Sequence, residues 1–208
     1  MPDVTQPNCL STSLAWLMAQ AGGAAADIGV EADSPAGVDP ALVLWRKWIA
    51  AFGEAERLCR RQQRLERLLI ESVGFPYIDV TVPGEARTAR VSTPDEVDGL
   101  HGDRPDFAVP RSEAQAALAE QRRAWDDLDA QLGYSHAKIA ETDAFATQEE
   151  AADVLWSVPA CSVAGTVAKL HAILLIGDGD GSSDEFPWPQ ICAVMTDLIG
   201  IGNDDLRA

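Results

Sequence analysis

The stretch DPALVLWRKWIAAFGEAERLCRRQQRLERLLIESVGFP, residues 39–76, decides the fold. Leu44, Trp48, Ala51, Ala55, Leu58, Gln62, Leu65 and Leu69 recur at alternating spacings of four and three, and Trp45, Phe52 and Cys59 widen the stripe. That period puts them on one face of an α-helix. Asp39 is placed to cap it, and Pro40 suits the first helical position, where its missing N–H costs nothing. Gly74 followed by Phe75-Pro76 is a stop. A helix over 40–73 is a rod of about 51 Å. Its apolar stripe needs a partner to cover it.

Residues 112–157 return to helical spacing. Ala114, Ala117, Leu118, Gln121, Trp125, Leu128 and Leu132 form one stripe, and Ile139, Phe145, Ala152, Leu155 and Trp156 continue it after a break at Gly133. The expected fold class is therefore mainly α: a long antiparallel, coiled-coil-like helical hairpin of 40–73 with 112–157. A small β-containing insertion, 75–110, sits at its tip. Ile78, Val80 and Val82 alternate and are answered by Thr88 to Ser92 across Pro83-Gly84-Glu85. Thr93-Pro94-Asp95-Glu96 then reads as a capping box opening a two-turn helix to Leu100, followed by loop to about Pro110. Short C-terminal helices are expected at 163–176 and 187–199, with a loose tail from Gly200 and with Trp156 and Trp188 as apolar anchors. Residues 39–208 read as a single helical domain. Residues 1–38, which lack any basic residue, read as a partly disordered extension. One short helix within it carries Leu10, Leu14, Leu17 and Met18, capped by Ser11 or Thr12 and stopped at Gly22-Gly23; it either rests on the body or binds a partner.

The chain has 208 residues, 47% of them apolar, with 33 acidic against 16 basic for a net charge of −17. That field excludes a uniformly basic nucleic-acid binder. Aliphatic runs such as Ala172 to Ile176 are far shorter than the ~20 residues a bilayer requires, so no membrane partner is expected. Cys9, Cys59, Cys161 and Cys192 are too scattered for a zinc clip or a disulfide framework, and no Lys or Arg precedes Arg46 to make a secretory n-region. A cytoplasmic protein with reduced thiols is the expectation.

Charge is unevenly distributed. Segment 39–74 has 7 basic and 5 acidic residues, whereas 111–157 has 4 basic and 10 acidic. Arg57, Arg60, Arg64 and Arg67 line one helical face with Arg61 beside them. In one reading the row flanks the hairpin seam and faces Glu120, Asp126, Asp127 and Asp129, which sets partner and orientation more than stability. In the other it binds nucleic acid, against the chain's net field and without interleaved aromatics to stack bases. The total charge favours the first.

Motifs for chemistry are sparse. Of His101, His136 and His171, the last two lack a ligand three or four residues away, and no metal site is expected. Asp178-Gly-Asp180-Gly-Ser182-Ser183-Asp184-Glu185 resembles a calcium loop only at its start, since Ser183 and Pro189 stand where Gly and Glu are required. Gly-x-Ser-x-Gly, phosphate-cradling and dinucleotide fingerprints are absent. No catalytic residue, metal or cofactor is expected, and an enzyme is not supported; a metal-assisted hydrolase built on His136 and His171 is the remote alternative.

Leu155 to Leu170, LWSVPACSVAGTVAKL, resembles a segment of uncharacterised bacterial proteins from phage-like or mobile DNA. Glu185-Phe-Pro-Trp-Pro-Gln190 is similar to their C-terminal signature and Trp45–Pro76 to their first helix. The resemblance covers 42–200 and implies a helical protein of unknown role, with no catalytic residue to carry over. Physically, Pro159 stops one helix, Ser162 caps the next, and Gly165 allows close approach at a structural corner. The functional expectation is a non-enzymatic helical interaction or scaffold protein, binding a protein partner or its own copies through Arg57, Arg60, Arg61, Arg64 and Arg67. A nucleic-acid-associated regulator using the same row is the alternative.

Overall fold

Asp39 Oδ1 accepts the Ala41 N–H at 2.7 Å, and from that cap a single helix runs over Pro40–Val73 in the computed structural model of the chain. The structure describes residues 8–23, 38–82, 84–102, 105–177, 179 and 183–205. The protein is mainly helical, with seven α-helices and one two-stranded sheet among the described residues. In chain order these are α1 (Cys9–Gly23), α2 (Pro40–Val73), β1 (Ile78–Thr81), β2 (Thr88–Val91), α3 (Pro94–His101), α4 (Ala108–Leu132), α5 (Tyr134–Ser157), α6 (Val163–Gly177) and α7 (Trp188–Asp205). No helix among them is long and apolar enough to cross a membrane. The chain divides into two compact units, Met1–Ala55 with Ala144–Ala208, and Glu56–Asp143.

The first unit is a helical core. Trp45 and Trp48 of α2 are fully buried with Leu10 and Leu17 of α1, Leu155 of α5, Val167, Ala168 and Leu174 of α6 and Met195 of α7. Burying side chains of this size supplies about 1.5–3 kcal/mol each. α1 starts earlier than expected: Asn8, not Ser11 or Thr12, is its cap, taking the Ser11 N–H at 2.8 Å. The remainder of the expected N-terminal extension, 1–7 and 24–37, lies outside the described residues. Two packing glycines fix this unit. A Cβ on Gly177 would come within 2.2 Å of the Trp188 ring, and one on Gly202 within 2.8 Å of the Trp16 ring. Trp16 also donates its indole N–H to Asn203 at 2.9 Å, so α7 continues to Asp205 where a loose tail from Gly200 was expected. Of the two tryptophans expected as anchors, Trp156 is instead 38% exposed. Its neighbour Leu155 occupies the inward position of α5, and one residue is a rotation of about 100°.

The second unit is built around the hairpin. Ile78 pairs with Val91 and Val80 with Ala89, and the side chains of Val80 and Val91 pack on Val97 of α3 and on Ala114 and Leu118 of α4. Thr93 Oγ1 accepts the Glu96 N–H at 3.2 Å while Glu96 Oε2 accepts the Thr93 N–H at 3.0 Å, which completes the expected capping box. Thr93→Ala is expected to destabilise this unit by about 1 kcal/mol, readable as a lower urea midpoint at unchanged m-value. The loop expected up to Pro110 is shorter, because α4 begins at Ala108 and carries Pro110 in its first turn, where no N–H is needed. Gly133 ends α4 at φ +74°, and Asp129 accepts the Ser135 N–H at 2.8 Å to start α5.

Candidate interaction surface

The inward positions of α2 in the second unit are Leu58, Gln62 and Leu69, and the tyrosine of α5 meets the same face. Tyr134 Oη donates to Glu66 Oε1 at 3.2 Å, and the Trp125 ring stands edge-on to Tyr134 at 6.1 Å. Burial raises the Tyr134 phenol pKa above its ordinary value. Two turns earlier, the Cys59 thiol donates a hydrogen bond to the Glu141 carboxylate, which raises its pKa. Gln121 of α4 donates to the Phe75 carbonyl at 2.9 Å, just beyond the end of α2. These contacts fix the azimuth of α2 and so decide which residues face water.

Arg57, Arg60, Arg61, Arg64 and Arg67 are all on the exposed side. Arg60 Nη1 meets Glu56 Oε2 at 2.8 Å, one turn back on the same helix. Among the described residues no ion pair joins Arg61, Arg64 or Arg67 to any acid, α4 included. The expected pairing of the row with Glu120, Asp126, Asp127 and Asp129 is therefore not formed by these three. Asp129 is taken by the turn into α5 through both the amide and the hydroxyl of Ser135, while Glu120, Asp126 and Asp127 are exposed. The physical reason is angular. Leu58, Gln62 and Leu69 hold the buried face of α2, and at about 100° per residue Arg61 and Arg57 fall on its flank while Arg64, Arg60 and Arg67 lie further round toward water.

Sequence reading missed the continuation of the row. Positions 57, 61, 64 and 68 keep the spacing of four, three and four, and Leu68 is exposed, as is Phe75 just beyond the helix end at Gly74. Phe75 stacks on Tyr77 with the rings 12° apart, and the Arg90 guanidinium lies 4.0 Å from the Tyr77 ring. A cationic strip thus ends in an apolar tip. Beside it an open groove of about 410 Å³ is lined by Gln63, Glu66, Arg67, Ile70 and Glu71.

The candidate chemical groups sit elsewhere and are engaged structurally. His171 is buried, and its Nδ1 accepts the Trp45 indole N–H at 3.2 Å, which leaves the ring proton on Nε2. Burial depresses its pKa to about 4, so it is neutral at pH 7. His136 is exposed in the second unit. Among the described residues no three His, Cys, Asp or Glu side chains cluster as a metal site. Half of the acidic loop, including Asp178, Asp180 and Ser182, lies outside the described residues.

Asp39 is the group whose role exceeds its sequence reading. Besides capping α2, its Oδ2 accepts the Cys161 N–H and the Ser162 hydroxyl, each at 2.7 Å, and Ser162 Oγ in turn accepts the Gly165 N–H at 3.0 Å. These bonds outweigh burial and hold the carboxyl below the usual carboxylate range. One side chain therefore ties the starts of α2 and α6 together beside a cavity of about 230 Å³. The chain matches no family model, and comparison with curated proteins and with solved structures finds none similar to it.

Proposed function

We propose that the chain is a non-enzymatic helical interaction protein whose arginine row docks an acidic segment of a protein partner. The observation that carries this reading is the exposure of Arg61, Arg64 and Arg67 without an ion pair among the described residues, on a chain of net charge −17. Three cations held outward within two turns repel one another. A chain so acidic has ample carboxylate to neutralise them internally, yet packs them facing water. An acidic partner relieves that repulsion, and Leu68 and Phe75 at the end of the strip add apolar contact, which gives the strip a direction.

The same reading takes α2 and its returning helices as an elongated antiparallel hairpin, coiled-coil-like and suited to presenting a surface. In its support, Tyr134 meets Glu66 and Glu141 meets Cys59 in the second unit, and Trp48 shares a core with Ala152 and Leu155 in the first. A cytoplasmic setting fits the four free cysteines. Nucleic acid is the weaker occupant, because no aromatic side chain is interleaved in the row to stack bases.

The test is affinity capture from native cells with the full chain and with Arg61→Glu/Arg64→Glu/Arg67→Glu as paired baits. A defined protein held by the wild type and reduced at least tenfold on the variant is expected, with the loss mimicked by raising salt. Equal capture on both baits, or nuclease-sensitive capture of nucleic acid alone, refutes the reading.

A further inference from the structure

Phe186 is 82% exposed, more than any other large apolar side chain among the described residues. It directly follows Asp184 and Glu185, both exposed, and among the described residues neither carboxylate forms an ion pair. The segment Asp184-Glu185-Phe186 thus offers two negative charges followed at once by an aromatic ring. The strip offers the complement in the same order: Arg61, Arg64 and then Leu68 on α2, with Phe75 just beyond its end.

We propose that the occupant of the arginine strip is a second copy of this chain, docked through Asp184, Glu185 and Phe186. The inference rests on the reading of the row as a protein-docking surface and names its partner. Arg61 and Arg64 are less than one helical turn apart, about 4.5 Å along the axis, which suits adjacent carboxylates. Leu68 follows one turn further along α2, and Phe186 directly follows Glu185 in the turn that leads into α7. Arginine forks bind carboxylates in bidentate fashion, and burying Phe186 against Leu68 and Phe75 removes apolar surface from water on both copies. Strip and segment are different surfaces, so each copy brings one of each.

Sedimentation velocity of the full chain tests this across a hundredfold concentration range at 50 and 500 mM salt. The expected result is reversible dimerisation that weakens at high salt, approaching twice 22.3 kDa as concentration rises. Arg61→Glu/Arg64→Glu, Asp184→Lys/Glu185→Lys and Phe186→Ser should each weaken it at least tenfold, with circular dichroism unchanged. Mixing the two charge variants should restore the dimer, because each copy then meets its complement in the other. A wild type that stays monomeric throughout, or dimers that none of the variants weakens, overturns the inference. If the monomeric wild type still captures a different protein through the row, self-docking fails while the docking role of the row stands.

Discussion

Gly165→Ala is expected to cost the first unit about 4 kcal/mol. Its new Cβ would lie 2.1 Å from Asp39 Oδ2 and 2.5 Å from Cγ, well inside contact distance. The carboxylate cannot retreat cheaply, since Ala41, Cys161 and Ser162 hold it with three bonds of 2.7 Å. Overpacking alone costs about 1–3 kcal/mol. Each hydrogen bond to a charged group that is lost as Asp39 shifts costs about 1.5–3 kcal/mol more. Urea denaturation of the full chain reads the effect, and a double-mutant cycle identifies its cause. In an Asp39→Ala background the carboxylate is gone, so Gly165→Ala should cost no more than about 1 kcal/mol, its ordinary helix-interior substitution being mildly favourable. An equal cost in both backgrounds would show that the clash does not run through Asp39.

Acid should destabilise the same unit by about 3 kcal/mol between pH 6.5 and 4. In the unfolded chain His171 takes up a proton near 6.5, whereas burial beside Trp45 delays protonation to about 4. Above 6.5 both states are neutral and no penalty exists. Between the two values the unfolded state binds the extra proton, so stability falls as pH falls and levels off below about 4. At 1.36 kcal/mol per unit, the interval gives the stated figure. Protonation would also turn Nδ1 from acceptor to donor and strand the Trp45 N–H. Asp39 adds a further loss at lower pH, because its depressed carboxyl contributes stability that disappears as pH falls through the folded value. His171→Gln keeps a hydrogen-bond acceptor and should flatten the profile from 6.5 to 4. A variant profile as steep as the wild type would move the acid lability to other groups.

Much of the secondary structure was legible because it is local. The four-and-three spacing of Trp48, Leu58 and Leu69 named the buried face of α2, and Thr93-Pro94-Asp95-Glu96 named the start of α3. Gly165 was legible as a close approach, but what it approaches was not. Asp39 precedes it by more than a hundred residues, and nothing in either sequence neighbourhood announces a shared carboxylate. Other misses share that origin. Gly200 and Gly202 read as a loose tail, yet the Trp16 ring lies against Gly202 and its indole on Asn203, which hold α7 helical to Asp205. Composition placed arginines on α2 and acids on α4 but gave no azimuth, so it could not tell that Asp129 serves the Gly133 turn or that Arg61, Arg64 and Arg67 turn outward. Leu68 was hidden for the same reason: it belongs to an apolar vocabulary that reads as core until the packing shows which side of the helix is covered.

The most direct measurement replaces Arg60, whose guanidinium is already engaged by Glu56, with the photocrosslinking residue p-benzoylphenylalanine in living cells. Irradiation should give a discrete crosslinked species joining the chain to a second polypeptide, and Arg61→Glu/Arg64→Glu in the same chain should abolish it. A chain that crosslinks to no protein, or to nucleic acid alone, would contradict the account.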